Sequence, residues 1–339
     1  MSKKNSVARV FVAGDWDADG VIAAALILYA QERLGKYPLE SKAIVTLKPL
    51  DPERFKFLAK EFKANYDAAV FLDIPYYPGM EKALSLLKKH FGVKRIVFVD
   101  HHISSINYKK SLEEHVDELY VGQEPTAMIV YRVLEDRGIT IFRRLKTFVE
   151  TVTYMDRGAR VPGSYMKMFE LVSLFSKALT VKRNEEIWIK LVRWLANPMP
   201  VPMPLDRNIL EKVKEAVRKR DEELKNVATD LALTARKVGY IKFVDARNVW
   251  KKRGATALAS KIAHILKSPV AVLFRTNKNY MLLIIKAPRG GAYRVAKYLL
   301  GEGYAEDIAG HPNLAMVRVS ESTDINDLLK ALQKASLYM

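Results

Sequence analysis

Through the first half of the chain, short and almost wholly apolar runs alternate with longer amphipathic stretches. That rhythm predicts buried strands each followed by a covering helix, which is a doubly wound α/β domain with a parallel sheet. The expected strands are Val7–Gly14, Ala43–Leu47, Ala68–Asp73, Arg95–Asp100 and Asp117–Val121. The expected helices are Val21–Leu34, Pro52–Ala64, Pro78–Phe91, Thr126–Arg137 and Phe142–Tyr154. Pro125 with Thr126 starts the fourth of these and Gly138 ends it. From Tyr165 to Ala196 the pattern is helical throughout, and Trp188 and Trp194 suit a core or interface better than a base-stacking platform.

The pattern then breaks. Four alternating prolines in Asn197–Pro204 fit neither helix nor central strand, so a stiff extended spacer is expected. A charged helix follows from Asp206 to Lys237, with one narrow apolar stripe at Leu210, Val213, Val217, Leu224, Val227 and Leu231. It reads as a connector between two lobes. The last hundred residues resume the alternation, with strands at Tyr240–Val244, Val270–Phe274 and Tyr280–Ile285 and helices at Ala255–Leu266, Ala292–Leu300 and Ile325–Ala335. The organisation expected is a catalytic domain over 1–196, a spacer and connector over 197–237, and a smaller α/β domain over 238–339.

Composition narrows the function. A chain of 339 residues can bury two cores, and its 49% hydrophobic and 28% charged residues fit a globular protein. No apolar run reaches membrane length; Ile262–Phe274 is interrupted by His264, Lys267 and Pro269. Met1 to Val7 is polar and leads straight into a strand, so no signal peptide is expected, and the cytoplasm is the expected location. The absence of cysteine excludes disulfides, thiolate metal sites and a cysteine nucleophile. It also suits a thermophile, as do the many Lys, Arg and Glu residues. A net charge of +18 favours polyanionic partners, although solubility at high temperature would also explain it.

Within this basic chain, acids gather where strands end. Asp15, Asp17 and Asp19 occupy alternate positions before Gly20 and an apolar helix. Three carboxylates so close repel one another unless a cation offsets them. A solvated turn with Asp19 as a helix cap is the plainer reading of that stretch alone. Two more strands end the same way, Ala69–Asp73 in Asp73 and Arg95–Asp100 in Asp100-His101-His102. Parallel strands would bring these carboxyl ends to one rim, and carboxylate with imidazole suits Mn²⁺ or Mg²⁺. Asp156, after a helix, could fold back over that rim. Nucleotide-triphosphatase phosphate loops are absent, so no ATP site is implied.

In this combination of motifs the sequence resembles the DHH phosphoesterase superfamily, which includes RecJ-like exonucleases, oligoribonucleases and cyclic-dinucleotide phosphodiesterases. The carriers are Asp15-Trp-Asp-Ala-Asp-Gly20, Asp73, Asp100-His-His102 and Asp156, in family order. The acid-rich first motif is similar to the RecJ branch. The resemblance implies two Mn²⁺ or Mg²⁺ ions that share Asp73, with Asp17 and its helper Asp15 at one and Asp19, His101 and Asp156 at the other. It implies that Asp100 orients an imidazole and that His102 reaches substrate phosphate or the same network. Together the ions would activate water and neutralise the scissile phosphate without a covalent intermediate. Many relatives carry a histidine ligand where this chain has Ala13. Either Asp15 takes over there or that ion is held more loosely, which makes the second site the tighter one.

The same resemblance extends to the C-terminal DHHA1-type domain. Ala309–Ala315, with Gly310 and His311, is similar to the family's glycine-rich loop, and Arg289-Gly290-Gly291 to its arginine turn. Both are implied to bind substrate phosphate. Arg275, Lys278 and Tyr280 could track a nucleic-acid backbone, whereas Lys251-Lys-Arg253, His90, His115 and His264 read as solvated or structural. The reading that results is a metal-dependent exonuclease on single-stranded DNA, with RNA as a further substrate and a 3′→5′ direction. The archaeal RecJ-like and helicase-associated nucleases it resembles imply a repair helicase or replication factor as partner. The middle helices offer a surface for a homo-oligomer. The alternatives are a phosphodiesterase or phosphatase on short oligonucleotides or cyclic dinucleotides, and an inactive replication scaffold of the same fold.

Overall fold

A computed structural model describes residues 7–339 apart from 59–61, 63–64, 158–159, 205–206, 252–253 and 277–279. It divides into two compact units, Met1–Val217 and Arg218–Met339.

The first unit is built on a five-stranded, all-parallel sheet of β1 (Ala8–Gly14), β2 (Ala43–Pro49), β3 (Ala68–Leu72), β4 (Arg95–Asp100) and β5 (Glu118–Val121), in the order β2-β1-β3-β4-β5. Its helices are α1 (Ala18–Leu28), α2 (Pro52–Phe55), α3 (Met80–Phe91), α4 (Ile103–Asn107), α5 (Lys109–Glu113), α6 (Thr126–Asp136), α7 (Arg143–Arg157), α8 (Met166–Lys182) and α9 (Glu185–Leu195). Successive strand residues face opposite sides, and the two sides bury different cores. Val10 and Val12 pack with Val70, Val97 and α1, while Phe11 and Ala13 pack with Phe71, Phe98 and Leu84. Every residue of α1 is buried, as the unbroken apolar run Val21–Leu28 dictates, and the helix starts at Ala18, with three residues between it and β1. Because β1 lies between β2 and β3, the sheet changes winding direction there. A crevice opens at such a switch point, outside the carboxyl ends of the strands.

The second unit holds a six-stranded mixed sheet in the order β10-β11-β9-β8-β7-β6, from β6 (Arg236–Val238), β7 (Ile241–Asp245), β8 (Val270–Arg275), β9 (Tyr280–Lys286), β10 (Asp307–His311) and β11 (Leu314–Ser320). Among the described residues of this sheet, only β7 and β8 pair in parallel. One face packs on α12 (Gly291–Gly301) and α13 (Ile325–Ala335). The other packs on α11 (Ala255–Leu266) and on Leu224, Ala228 and Leu231 of α10 (Arg207–Leu233).

Several expectations need correction. The helix expected from Val21 begins at Ala18, because Asp17 caps it, and its last turn widens into a π-helix over Tyr29–Arg33. The run from Tyr165 to Ala196 breaks at Arg183, whose φ of 44° is left-handed, and Asn184 caps α9 through the Ile187 amide. The connector helix stops at Leu233 rather than Lys237, since Arg236–Val238 joins the sheet. Of the helix expected over Pro52–Ala64, Pro52–Phe55 is an α-helix, and part of the remainder lies outside the described residues. Asp206, Lys278, Lys252 and Arg253 also lie outside them. The glycine-rich loop expected over Ala309–Ala315 is an antiparallel pairing of β10 with β11. No helix among the described residues is long and apolar enough to cross a membrane.

Candidate metal centre

The acids named from the sequence reach one rim by three strand ends. After β1, the Asp17 carboxylate accepts hydrogen bonds from the amides of Asp19 (3.0 Å) and Gly20 (3.1 Å), which fixes the first turn of α1. Gly20 leaves no space for a side chain. A Cβ there would lie 2.6 Å from the Asp15 amide nitrogen and 2.7 Å from the Asp15 carbonyl oxygen, and one at Gly14 would lie 2.8 Å from the Gly20 carbonyl oxygen. Trp188 of α9 donates its indole N–H to the Asp15 carbonyl at 2.9 Å.

Asp19 is held from across the crevice. Its two oxygens accept the amides of Thr126 (2.7 Å) and Ala127 (2.8 Å), at the positive end of α6. Asp73 follows β3 with a φ of 60°, a left-handed conformation that aspartate tolerates better than most side chains. Thr126 donates its hydroxyl to Asp73 at 3.0 Å. His101 lies between the acids: its Nε2 is 3.2 Å from Asp73 and 3.7 Å from Asp19, and its Nδ1 is 3.9 Å from Asp156. Asp156 does not follow a helix but lies in the last turn of α7, which carries it to the rim. His102 turns its Nδ1 to Asp100, 2.8 Å away, and its amide bonds to the same carboxylate.

Asp19, Asp73 and His101 thus offer ligand atoms within 4.8 Å of one another, and so do Asp73, Asp100 and His102. Asp73 belongs to both groups. Burial is the largest force on these carboxyls. Together with the Asp17 charge it pushes Asp15 up to about 7. Burial also takes Asp19 to about 7 against the opposing pull of His101. Asp73 rises well above the carboxylate range through burial and the charges of Asp19 and Asp17. Burial raises Asp156 as well, and His101 partly offsets it. The imidazoles respond in the opposite sense. Burial alone would lower both, but Asp19, Asp100 and Asp156 raise His101, and the Asp100 charge takes His102 to about 9. Asp100 stays low despite its burial, because His102 faces it. Crowded acids that the neighbouring imidazoles offset only in part are a donor set that a divalent cation fits.

Sequence reasoning named these acids but missed what aims them. Thr126, expected only to start a helix, binds both Asp19 and Asp73. Trp188, expected in the core, is fully buried there and also anchors the first motif. Ala13 is buried beneath the rim among Phe11 and Phe71.

In the second unit the two motifs that resembled phosphate-binding segments meet through the turn between β10 and β11. The Gly290 amide bonds to the Asn313 side chain at 2.8 Å, and the Tyr293 amide bonds to the Pro312 carbonyl at 3.1 Å. Arg289 is left-handed at φ 56°, and Arg294 holds its carbonyl at 3.0 Å. Gly291 opens α12. Gly310 is buried with a φ of 100°, and a Cβ on it would lie 2.3 Å from the Leu314 carbonyl oxygen. Its smallness therefore serves strand pairing. His311 ends β10, half-buried.

No family model and no curated protein matches the chain. Solved structures do. A DHH-domain protein described as a member of a family of ribosomal proteins aligns over 97% of this chain and 87% of its own, with a TM-score of 0.62 and 16% identity. The chain has the fold of the DHH-domain proteins. RecJ from Thermus thermophilus, solved with Mn²⁺, shares that DHH fold with a TM-score of 0.63 and 14% identity over 98% of this chain. The chain spans about half of that RecJ, 52% of its length. The pGpG-specific phosphodiesterase PggH from Vibrio cholerae matches over 97% of this chain and 99% of its own, with a TM-score of 0.51 and 12% identity.

Proposed function

We propose that the chain is a metal-dependent phosphodiesterase of the DHH superfamily, acting as an exonuclease on single-stranded DNA and, in second place, RNA. The observation that carries this is the buried group of Asp19, Asp73 and His101, whose ligand atoms lie within 4.8 Å of one another on a rim of crowded acids. In this reading Asp19, Asp73, His101 and Asp156 hold one ion, and Asp73, Asp17 and Asp15 hold the other. Mn²⁺ or Mg²⁺ bound there supplies positive charge to the phosphate oxygens and acidifies water. Asp100 keeps His102 protonated and aimed, so that its ring can donate to substrate phosphate. Arg289, Gly290, Gly291, Gly310 and His311 make up the second unit's phosphate-binding segment. A 3′→5′ direction and work beside a repair helicase or replication factor complete the proposal, in keeping with the net charge of +18.

DNA and RNA strands labelled at either end, incubated with Mn²⁺, Mg²⁺ or chelator, test it. Stepwise, metal-dependent loss of mononucleotides from the unlabelled 3′ end is expected. Hydrolysis that survives complete chelation would overturn it.

The end-to-end similarity to PggH favours one second reading, a phosphodiesterase on very short substrates. Rates on a dinucleotide and on a thirty-nucleotide strand separate the two. A steep salt dependence on the long strand alone marks the exonuclease.

A further inference from the structure

The second unit carries a cleft of about 860 Å³ formed by the turn between β6 and β7 and by helices α12 and α13. Its lining is aromatic and basic. Tyr240, Tyr298 and Tyr304 stand with Lys237, Lys330 and Lys334, against the single carboxylate of Glu302. Lys330 is shared with Asp327 at 3.0 Å, while Lys237 and Lys334 make no ion pair among the described residues. Tyr240 is 68% exposed. The turn that carries it is braced: the Tyr240 amide bonds to the Ser336 hydroxyl at 3.1 Å, and that hydroxyl bonds to the Gln333 carbonyl at 2.7 Å. Tyr298 stacks on Tyr338 at 5.2 Å between ring centres, which stiffens the opposite wall.

Planar phenol faces beside unpaired ammonium groups complement an anionic chain that carries flat rings. We infer that this cleft binds a stretch of single-stranded nucleic acid, with bases on the tyrosines and phosphates on Lys237 and Lys334. It would be a second grip on the strand, separate from the phosphate-binding segment around Arg289 and His311. This deepens the exonuclease reading and rests on it for the nature of the strand. An acidic peptide could use the lysines, but it would leave the three tyrosine faces unused.

The test is fluorescence anisotropy of the full-length protein with a labelled fifteen-nucleotide oligothymidylate in chelator, so that nothing is cleaved. Tyr240→Ala with Lys334→Ala is expected to weaken binding at least tenfold and to flatten its salt dependence, with the melting temperature unchanged. Metal-dependent hydrolysis of a dinucleotide by this variant should equal wild type, because neither side chain belongs to the metal centre. Unchanged oligothymidylate affinity overturns the proposal, and so does a polyglutamate peptide that competes as well as unlabelled strand. Tyr240→Phe should bind like wild type; a loss equal to that of Tyr240→Ala would assign the contact to the hydroxyl and also overturn base stacking. If the protein hydrolyses nothing, the exonuclease reading fails while the binding measurement still decides the cleft.

Discussion

Where β1, β3 and β4 end, carboxylates crowd two imidazoles in a buried rim, whereas the cleft beside β6 and β7 sets lysines among tyrosines in solvent. The rim is costly as it stands: burial and mutual repulsion hold Asp15, Asp19 and Asp73 above the normal carboxylate range. The cleft costs little, since its charges remain hydrated. A parallel sheet makes the first arrangement possible because it delivers several strand ends to one side. A mixed sheet sends neighbouring strands in opposite directions and disperses them. On the proposed reading, chemistry that needs converging ligands belongs to the first sheet, and adhesion to a long ligand belongs to the second.

The sharpest way to break this contrast is at the residue common to both ligand groups. Asp73→Ala should lower metal-dependent hydrolysis by about 10³-fold or more while circular dichroism stays native. Residual activity near wild type would show that the rim is not the reaction centre. Thr126→Val, which removes a support and no ligand, should weaken Mn²⁺ binding by about 10–100-fold in calorimetry. If affinity holds, the hydroxyl does not aim Asp73.

Acidity sharpens the comparison further. Asp15 and Asp19 ionise near 7 in the fold against 3.8 in the unfolded chain, so the fold carries more protons through that window and loses stability as pH rises across it. His102, raised to about 9, adds stability that is complete below 6.5 and lost as pH climbs through 9. The two effects share a direction. Metal-free protein should melt lower at pH 9 than at pH 5.5, and added Mn²⁺ should raise the melting temperature more at pH 8 than at pH 5.5. Equal gains at both would mean that the acids do not meet the ion. The smallest effect belongs to the second unit, where Gly310→Ala should cost about 1–3 kcal/mol in denaturant unfolding by straining the pairing of β10 with β11. No loss would return Gly310 to a purely ligand-facing role.

Much of the first sheet was readable from residue pattern because β1, β3 and β4 are apolar runs that lead into an acid. The Asp19, Asp73 and His101 group follows directly from those ends. What escaped depends on partners far apart in sequence. Nothing local marks Thr126 as the residue that binds Asp19, because its role arises from a carboxylate 107 positions away. The break at Arg183 was hidden because helical spacing continues on both sides of one left-handed residue. Strands β10 and β11 do carry the alternation of Ile308 and Gly310 with Ala315, Val317 and Val319. Reading the glycine and histidine as a loop obscured it.

The interlock of Gly14, Asp15 and Gly20 has a practical consequence. If these carboxylates hold manganese as proposed, loss of one weakens binding that excess manganese can restore by mass action. A methyl group at Gly20 instead displaces the whole acidic segment, and no concentration of ion repairs misplaced backbone. Among inactive variants, recovery or non-recovery in high manganese should therefore sort damaged ligands from damaged scaffold.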